Sequence, residues 1–196
     1  MLNPSFSRAL GLLFLIFPLL ITVGCGDAYK TEEVKDYRLH VKSNDLEIQQ
    51  FFYDLIQDYN ERAGIEALSF VGNEEEANSS IQLVQGLRLR DKKVGWGQWI
   101  KETKTSGASL FSAGEQGTRT VLYSMKVEFD RDYMVTRMNS QDEKEKDEIF
   151  KLFSHEVGHG FLFDHHPDPR NVMYFDVSGK KDYSRYFENV RGFFAQ

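Results

Sequence analysis

The sequence predicts an α/β fold in one domain: a five-stranded, twisted, mixed sheet with two long helices and a further helix at the C-terminus. Three observations carry this. Short runs of alternating apolar and polar residues recur along the chain, the spacing of half-buried strands. Two longer runs repeat their apolar residues every three or four positions, as helices do. The composition of the 196 residues, 41% hydrophobic and 28% charged, is that of an ordinary globular protein. There is no internal repeat and no linker long enough to divide the body.

Taken in order, Tyr37, Leu39 and Val41 alternate and predict a strand. Asn44 or Asp45 caps a helix whose apolar face is Leu46, Ile48, Phe51, Phe52, Leu55, Ile56 and Tyr59, and Gly64 ends it. Residues 67–71 form a short strand, and the acidic stretch at 74–76 with Asn78 and two serines is a loop. Ile81, Leu83, Leu87 and Leu89 alternate as a third strand. Residues 94–100 carry Trp96 and Trp99 among glycines and read as an edge strand, and 107–117 as a loop. Val121, Tyr123, Met125, Val127 and Phe129 give the clearest alternation in the chain. A long helix begins at Ser140, where Ser140 and Glu143 form a capping box, and runs to about Phe161. Its charge-rich start, 142–148, is a solvated first turn suited to the helix dipole. Tyr183, Phe187, Val190 and Phe194 mark the last helix.

The N-terminus reads as an address. Arg8 is the only charge before an apolar run at 10–23, which is shorter than the ~20 residues a spanning helix needs and contains Pro18. The run closes on Thr22-Val23-Gly24-Cys25, which resembles the lipobox of bacterial lipoproteins, with Thr22 where leucine is usual. That resemblance implies a signal peptide at 1–24, lipidation of Cys25, and a protein anchored to a membrane of the bacterial cell envelope. Gly26 in place of aspartate favours the outer membrane over the inner. The plainer alternative is an ordinary signal peptide with Cys25 an idle thiol. Residues 25–36 then form a polar tether and 37–196 the folded domain.

Charge and cysteine count exclude other classes. With a formal charge of -6 and a pI near 5.4, the chain lacks the basic face of a nucleic-acid binder. The same charge does not favour adhesion to anionic lipid, so attachment would rest on acyl chains. One cysteine can make neither a disulfide within the chain nor a cysteine-based metal site.

Of five histidines, four lie within 155–166. His155-Glu156-Val157-Gly158-His159 sits on the predicted long helix, where positions i and i+4 share a face. His155 and His159 can therefore offer two imidazole nitrogens to one ion, while Glu156 reaches a water beside it without being a ligand. Zinc suits nitrogen donors with one position left open. Three fixed residues meet by chance about once in 8,000 positions, at roughly one-in-twenty usage each, so accident is a poor explanation in a chain this short. Ile149, Phe153, Val157 and Gly160 mark the core-facing stripe of the helix, which turns the two histidines toward a cleft or solvent.

His165 follows His159 by six residues, and Met173, within Asn171-Val172-Met173-Tyr174, follows His165 by eight. This resembles the metzincin clan of zinc peptidases, whose signature is His-Glu-x-x-His-x-x-Gly-x-x-His with a methionine turn beneath the metal. The run Asp168-Pro169-Arg170-Asn171-Val172-Met173-Tyr174 is most similar to the matrixins. Fainter likenesses are Ser80-Ile81-Gln82-Leu83-Val84 to the clan's third strand and Val127-Glu128-Phe129-Asp130 to its fifth.

The resemblance implies a metzincin-like zinc endopeptidase. His155, His159 and His165 would bind zinc, Glu156 would act as general base and acid, Met173 would floor the site, and a protein or peptide would be the substrate. An extended substrate would pair with the edge strand near 94–100. Leu162 stands where the clan has glycine. Because both intervals around His165 match without insertion, Leu162 is expected to take a positive φ in the glycine's place. With Cys25 the only cysteine, the matrixins' inhibitory cysteine segment has no counterpart. Two other readings stand beside this one: a non-catalytic envelope lipoprotein with a structural or vestigial zinc site, and a zinc hydrolase whose third ligand is Asp164, Asp168 or Glu188. His166 is expected to be a bystander or a support to a ligand, and His40 structural or exposed.

Overall fold

The computed structural model describes residues 29–91, 93–106, 117–176 and 178–196. The expected signal peptide at 1–24, the lipidation site Cys25 and nearly all of the loop expected over 107–117 lie outside them. Among the described residues no helix is long and apolar enough to cross a membrane.

Alternation builds the sheet where it was expected. The strands are β1 (Tyr29–Val34), β2 (Arg38–Val41), β3 (Ser69–Phe70), β4 (Ser79–Val84), β5 (Gly95–Ser106) and β6 (Gly117–Asp130). The helices are α1 (Leu46–Ala63), α2 (Leu87–Asp91), α3 (Arg131–Met138), α4 (Glu143–Gly160) and α5 (Tyr183–Phe194). The strand order is β1-β6-β4-β2-β3, with β5 also pairing β6. Pairs β2–β3, β2–β4 and β4–β6 are parallel, and register sets Val41 opposite Ile81 and Ile81 opposite Val127. The α/β class is therefore the one expected.

Four details differ. The sheet has six strands, not five, because the stretch expected as a tether contains β1. The alternation read through Leu89 breaks at Gly86, whose φ of 69° turns the chain into α2. There Leu87 is buried and Leu89 exposed, whereas a strand would turn both to one face. Helix α3 was not foreseen; the Asp130 carboxylate caps it by accepting from the Tyr133 N–H. Finally, α4 is capped by Asp142, which accepts from the Lys144 N–H, while Ser140 holds the Asp142 N–H one turn earlier.

The chain divides into two compact units. The smaller comprises Met1–Glu32 and Thr105–Arg119, of which the described part is strand. The larger comprises Glu33–Lys104 and Thr120–Gln196, and takes in the domain expected over 37–196 apart from 105–119.

Aromatic side chains fill the core of the larger unit. Phe153 of α4 stacks on Phe129 of β6 at 6.4 Å and meets Tyr59 of α1 edge-on at 5.8 Å. Tyr186 of α5 donates its hydroxyl proton to the Ser154 carbonyl, so Tyr59 is the donor in the 2.9 Å bond between the two tyrosines. On the sheet side Gly160 lies so close to β6 that a Cβ would come within 2.6 Å of Met125 Cε. Close contact on both sides fixes the depth and rotation of α4, and with them the direction of its histidines.

Candidate metal centre

The expected core stripe of α4 (Ile149, Phe153, Val157, Gly160) is buried, but so is nearly every residue from Ile149 to Gly160. The second half of the helix therefore carries buried polar groups, and each needs a partner. His155 Nδ1 lies 2.9 Å from the Val172 carbonyl and His159 Nδ1 lies 2.9 Å from the Phe163 carbonyl. A carbonyl only accepts, so each Nδ1 carries the proton. Both Nε2 lone pairs are left free, the usual way a protein orients a ligating imidazole.

One ring nitrogen from each of His155, His159 and His165 falls within 4.8 Å of the others. His165 packs against His159 at 4.8 Å and His155 at 5.3 Å between ring centroids. No other group of three or more metal-binding side chains of this kind occurs among the described residues. The donor set fits zinc: three imidazoles, with the backbone setting two of them.

The alternatives for a third ligand are accounted for elsewhere. His166 donates its N–H to the Met173 carbonyl at 2.9 Å, and its Nδ1 accepts from the Asp168 N–H at 3.1 Å. The Asp168 carboxylate holds the Arg170 N–H and guanidinium. Asp164 and Glu188 are exposed and outside the cluster. His40 is bonded to the Val71 carbonyl through Nδ1 at 3.3 Å, a structural role.

His165 returns to the cluster because α4 stops abruptly. Leu162 has φ 68°, the only positive φ outside glycine among the described residues. The Leu162 N–H bonds the His159 carbonyl and the Phe163 N–H bonds the Gly158 carbonyl, which together make a Schellman turn. A left-handed residue is what that turn requires, and glycine is its usual occupant.

Met173 lies beneath this arrangement. A Cβ on Gly158 would overlap Met173 Sδ, so the glycine between the two helical histidines makes room for the methionine. Asn171 shapes the loop by accepting the Met173 N–H at 2.8 Å on its side chain and the Tyr174 N–H at 3.1 Å on its carbonyl. The Val172 carbonyl of the same turn is the one that holds His155. Lys181 braces the loop, its Nζ donating to the carbonyls of Pro169 and Asp176.

Strand β5 forms the opposite wall. Its Gly95 lies against the Glu156 carboxylate, where a Cβ would come within 2.7 Å of Oε1. At Gly97 a Cβ would overlap the Glu156 carbonyl oxygen, and the Gly97 N–H bonds the Glu156 side chain. Two glycines in a strand signal a close backbone approach. That pair is the sequence sign of the strand that faces Glu156. The resulting cleft, about 490 Å³, is lined by Lys93, Trp96, Phe175, Glu156 and the three histidines, among others.

Burial governs the charge states. It lowers the pKa of His155 to about 4, against the opposing hydrogen bond that the ring donates to the Val172 carbonyl, and it also lowers that of His159. Both rings are therefore neutral at pH 7, the form that ligates a metal. Burial pushes the Glu156 carboxyl up to about 7, against the Gly97 N–H and the Lys93 charge. A dication held by the rings would draw it down again, because nearby positive charge favours the carboxylate.

No protein-family model matches the chain, and no curated protein sequence matches it. Among solved structures it is similar to the 1.5 Å crystal structure of archaemetzincin from Methanopyrus kandleri. The identity is 16%, 89% of this chain and 99% of that chain are covered, and the TM-score is 0.41. A likeness of that order carries no argument about activity, and function is argued from the site alone.

The strained turn yields a prediction. In zinc-loaded protein Leu162→Gly raises stability by about 0.5–1 kcal/mol, the strain relieved less the extra freedom of the unfolded chain. Leu162→Val lowers it, since a β-branched residue is worse at positive φ. Urea unfolding reads both, and a clear loss in the glycine variant would mean that Leu162 bears no strain.

Proposed function

We propose that this chain is a zinc-dependent endopeptidase, a hydrolase of peptide bonds in a protein or peptide substrate. The observation that supports it is the set of three ring nitrogens within 4.8 Å, with the carboxylate of Glu156 in the same cleft. His155, His159 and His165 would hold the zinc. When bound there, zinc supplies Lewis acidity and makes water a better nucleophile near pH 7.

The remaining steps belong to the chain. Glu156 takes a proton from the attacking water on a carboxylate oxygen and returns it to the leaving amine. Its carboxyl group suits this because the Gly97 N–H fixes its orientation and burial raises its basicity. The walls of β5 and α4 keep bulk water from the carboxyl, which is almost wholly buried. Strand β5 beyond Gly97 would offer backbone to an extended substrate, as an edge strand does. A structural or vestigial metal site has no use for a carboxylate in the cleft, which speaks against the non-catalytic reading. The metzincin assignment, with Met173 as floor, and the matrixin likeness within it are part of the same proposal and rest on the sequence motif.

We further propose that Cys25 is lipidated and anchors the protein to a membrane of the bacterial envelope, the outer one favoured. This rests on residues 10–25 of the sequence.

Two outcomes are expected. Soluble protein from residue 26 onward binds about one zinc per chain, as one three-ligand site requires. Glu156→Ala keeps that zinc and loses about a hundredfold or more of its cleavage of a peptide library. Elemental analysis and the cleavage assay decide this: loss of zinc in the variant would make Glu156 a ligand, and retained activity would contradict the mechanism. For the anchor, fatty-acid labelling disappears in Cys25→Ser and the protein leaves the membrane fraction; unchanged labelling would contradict the proposal.

A further inference from the structure

The cleft holds a charged side chain that the mechanism does not use. Lys93 lines it together with Glu156 and the histidines. Among the described residues no acidic group forms an ion pair or hydrogen bond with Lys93. Its charge nevertheless bears on both Glu156 and His159, which places it near the reacting centre.

Its backbone is held on the C-terminal side. The Val94 carbonyl accepts the Asp130 N–H at 2.9 Å, and three residues on the Gly97 N–H is bonded to Glu156. Lys93 thus stands two residues before the strand that walls the cleft. The other charged group of the cleft lining, Glu156, is already engaged by that N–H and by its proposed role as base.

A cleft ammonium with no acidic partner among the described side chains is most simply matched by an anion on what enters it. The chain carries a formal charge of -6, so its overall field does not draw acidic ligands, and a local cation is needed to accept one. Exposed aromatic surface flanks it: Trp96 and Phe175, the latter 70% exposed, line the same cleft. They suit the apolar part of a peptide beside the charged part.

We propose that Lys93 is a specificity-determining residue that receives a substrate carboxylate, from an acidic side chain or from a peptide C-terminus. The inference rests on the peptidase reading above and names the substrate class of that site.

Two peptide sets separate the two sources of the carboxylate. The first is acetylated and amidated, with glutamate, glutamine or lysine placed in turn on either side of the cleaved bond. The second is one neutral peptide with its C-terminus free or amidated. The wild type should favour the carboxylate member of one set by about fivefold in kcat/KM, the order expected of a single partly exposed ion pair. Lys93→Met should bring that ratio near one, Lys93→Arg should keep it, and Lys93→Glu should favour lysine in the first set or the amide in the second. The set that responds identifies the carboxylate. Fluorescence anisotropy of the same peptides, labelled, on zinc-loaded Glu156→Gln protein gives a second reading that needs no cleavage. If no peptide is cleaved, the peptidase reading fails, and Lys93 is still judged by whether binding depends on carboxylate and on Lys93. A preference that survives in Lys93→Met, or no preference in the wild type by either readout, overturns the proposal.

Discussion

The three imidazoles come together here only because the chain ceases to be a helix within three residues of His159. Had α4 continued, His165 would lie about 9 Å further along the axis and about 240° around it from His159, out of reach. The Schellman turn at Leu162 cancels that displacement. It satisfies the carbonyls of Gly158 and His159 and frees the Phe163 carbonyl to hold the His159 ring. One left-handed residue thus links the end of the helix, the tautomer of the second histidine and the arrival of the third. The strain at a leucine in this position costs roughly 1–2 kcal/mol, which the local hydrogen bonds and the packing of Phe161 and Phe163 offset.

The second constraint is steric. Four glycines permit approaches that any side chain would hinder. Gly158 admits Met173, Gly160 admits Met125, and Gly95 and Gly97 bring β5 onto Glu156. Between them they hold α4 from below, behind and above. The cost is that polar groups are buried on every side of the helix, and most are matched. His155 bonds the Val172 carbonyl, Glu156 the Gly97 N–H, and Lys151 pairs with Asp147 at 2.6 Å. The Ser154 hydroxyl is an exception, buried without a hydrogen-bond partner among the described residues. Removing one partner of such a bond strands the other, at a cost of about 1–3 kcal/mol.

What could be read in the sequence follows from this physics. Period-two and period-three-to-four patterns reveal β2, α1, β6, α4 and α5, because burial on one face enforces them. The same rule misled at Leu87 and Leu89, where one turn of helix put one leucine inside and one outside. The helix α3 has only Met134 buried and left no stripe to find. At the site, His155 and His159 were legible from spacing alone. His165 and the left-handed Leu162 needed a resemblance, because a turn that reverses the chain has no period. Gly95, Gly97, Lys93 and Lys181 went unread, since they face the site from segments distant in sequence. Only the pair of glycines inside a strand hinted at the contact.

The proposed chemistry requires the three histidines to form one metal site, and zinc-edge X-ray absorption tests this most directly. In loaded protein the spectrum should require three imidazole nitrogens at about 2.0–2.1 Å. In His165→Ala it should require two. A shell that is the same in His165→Ala as in the wild type, or one that needs a carboxylate or His166 as third ligand, would contradict it.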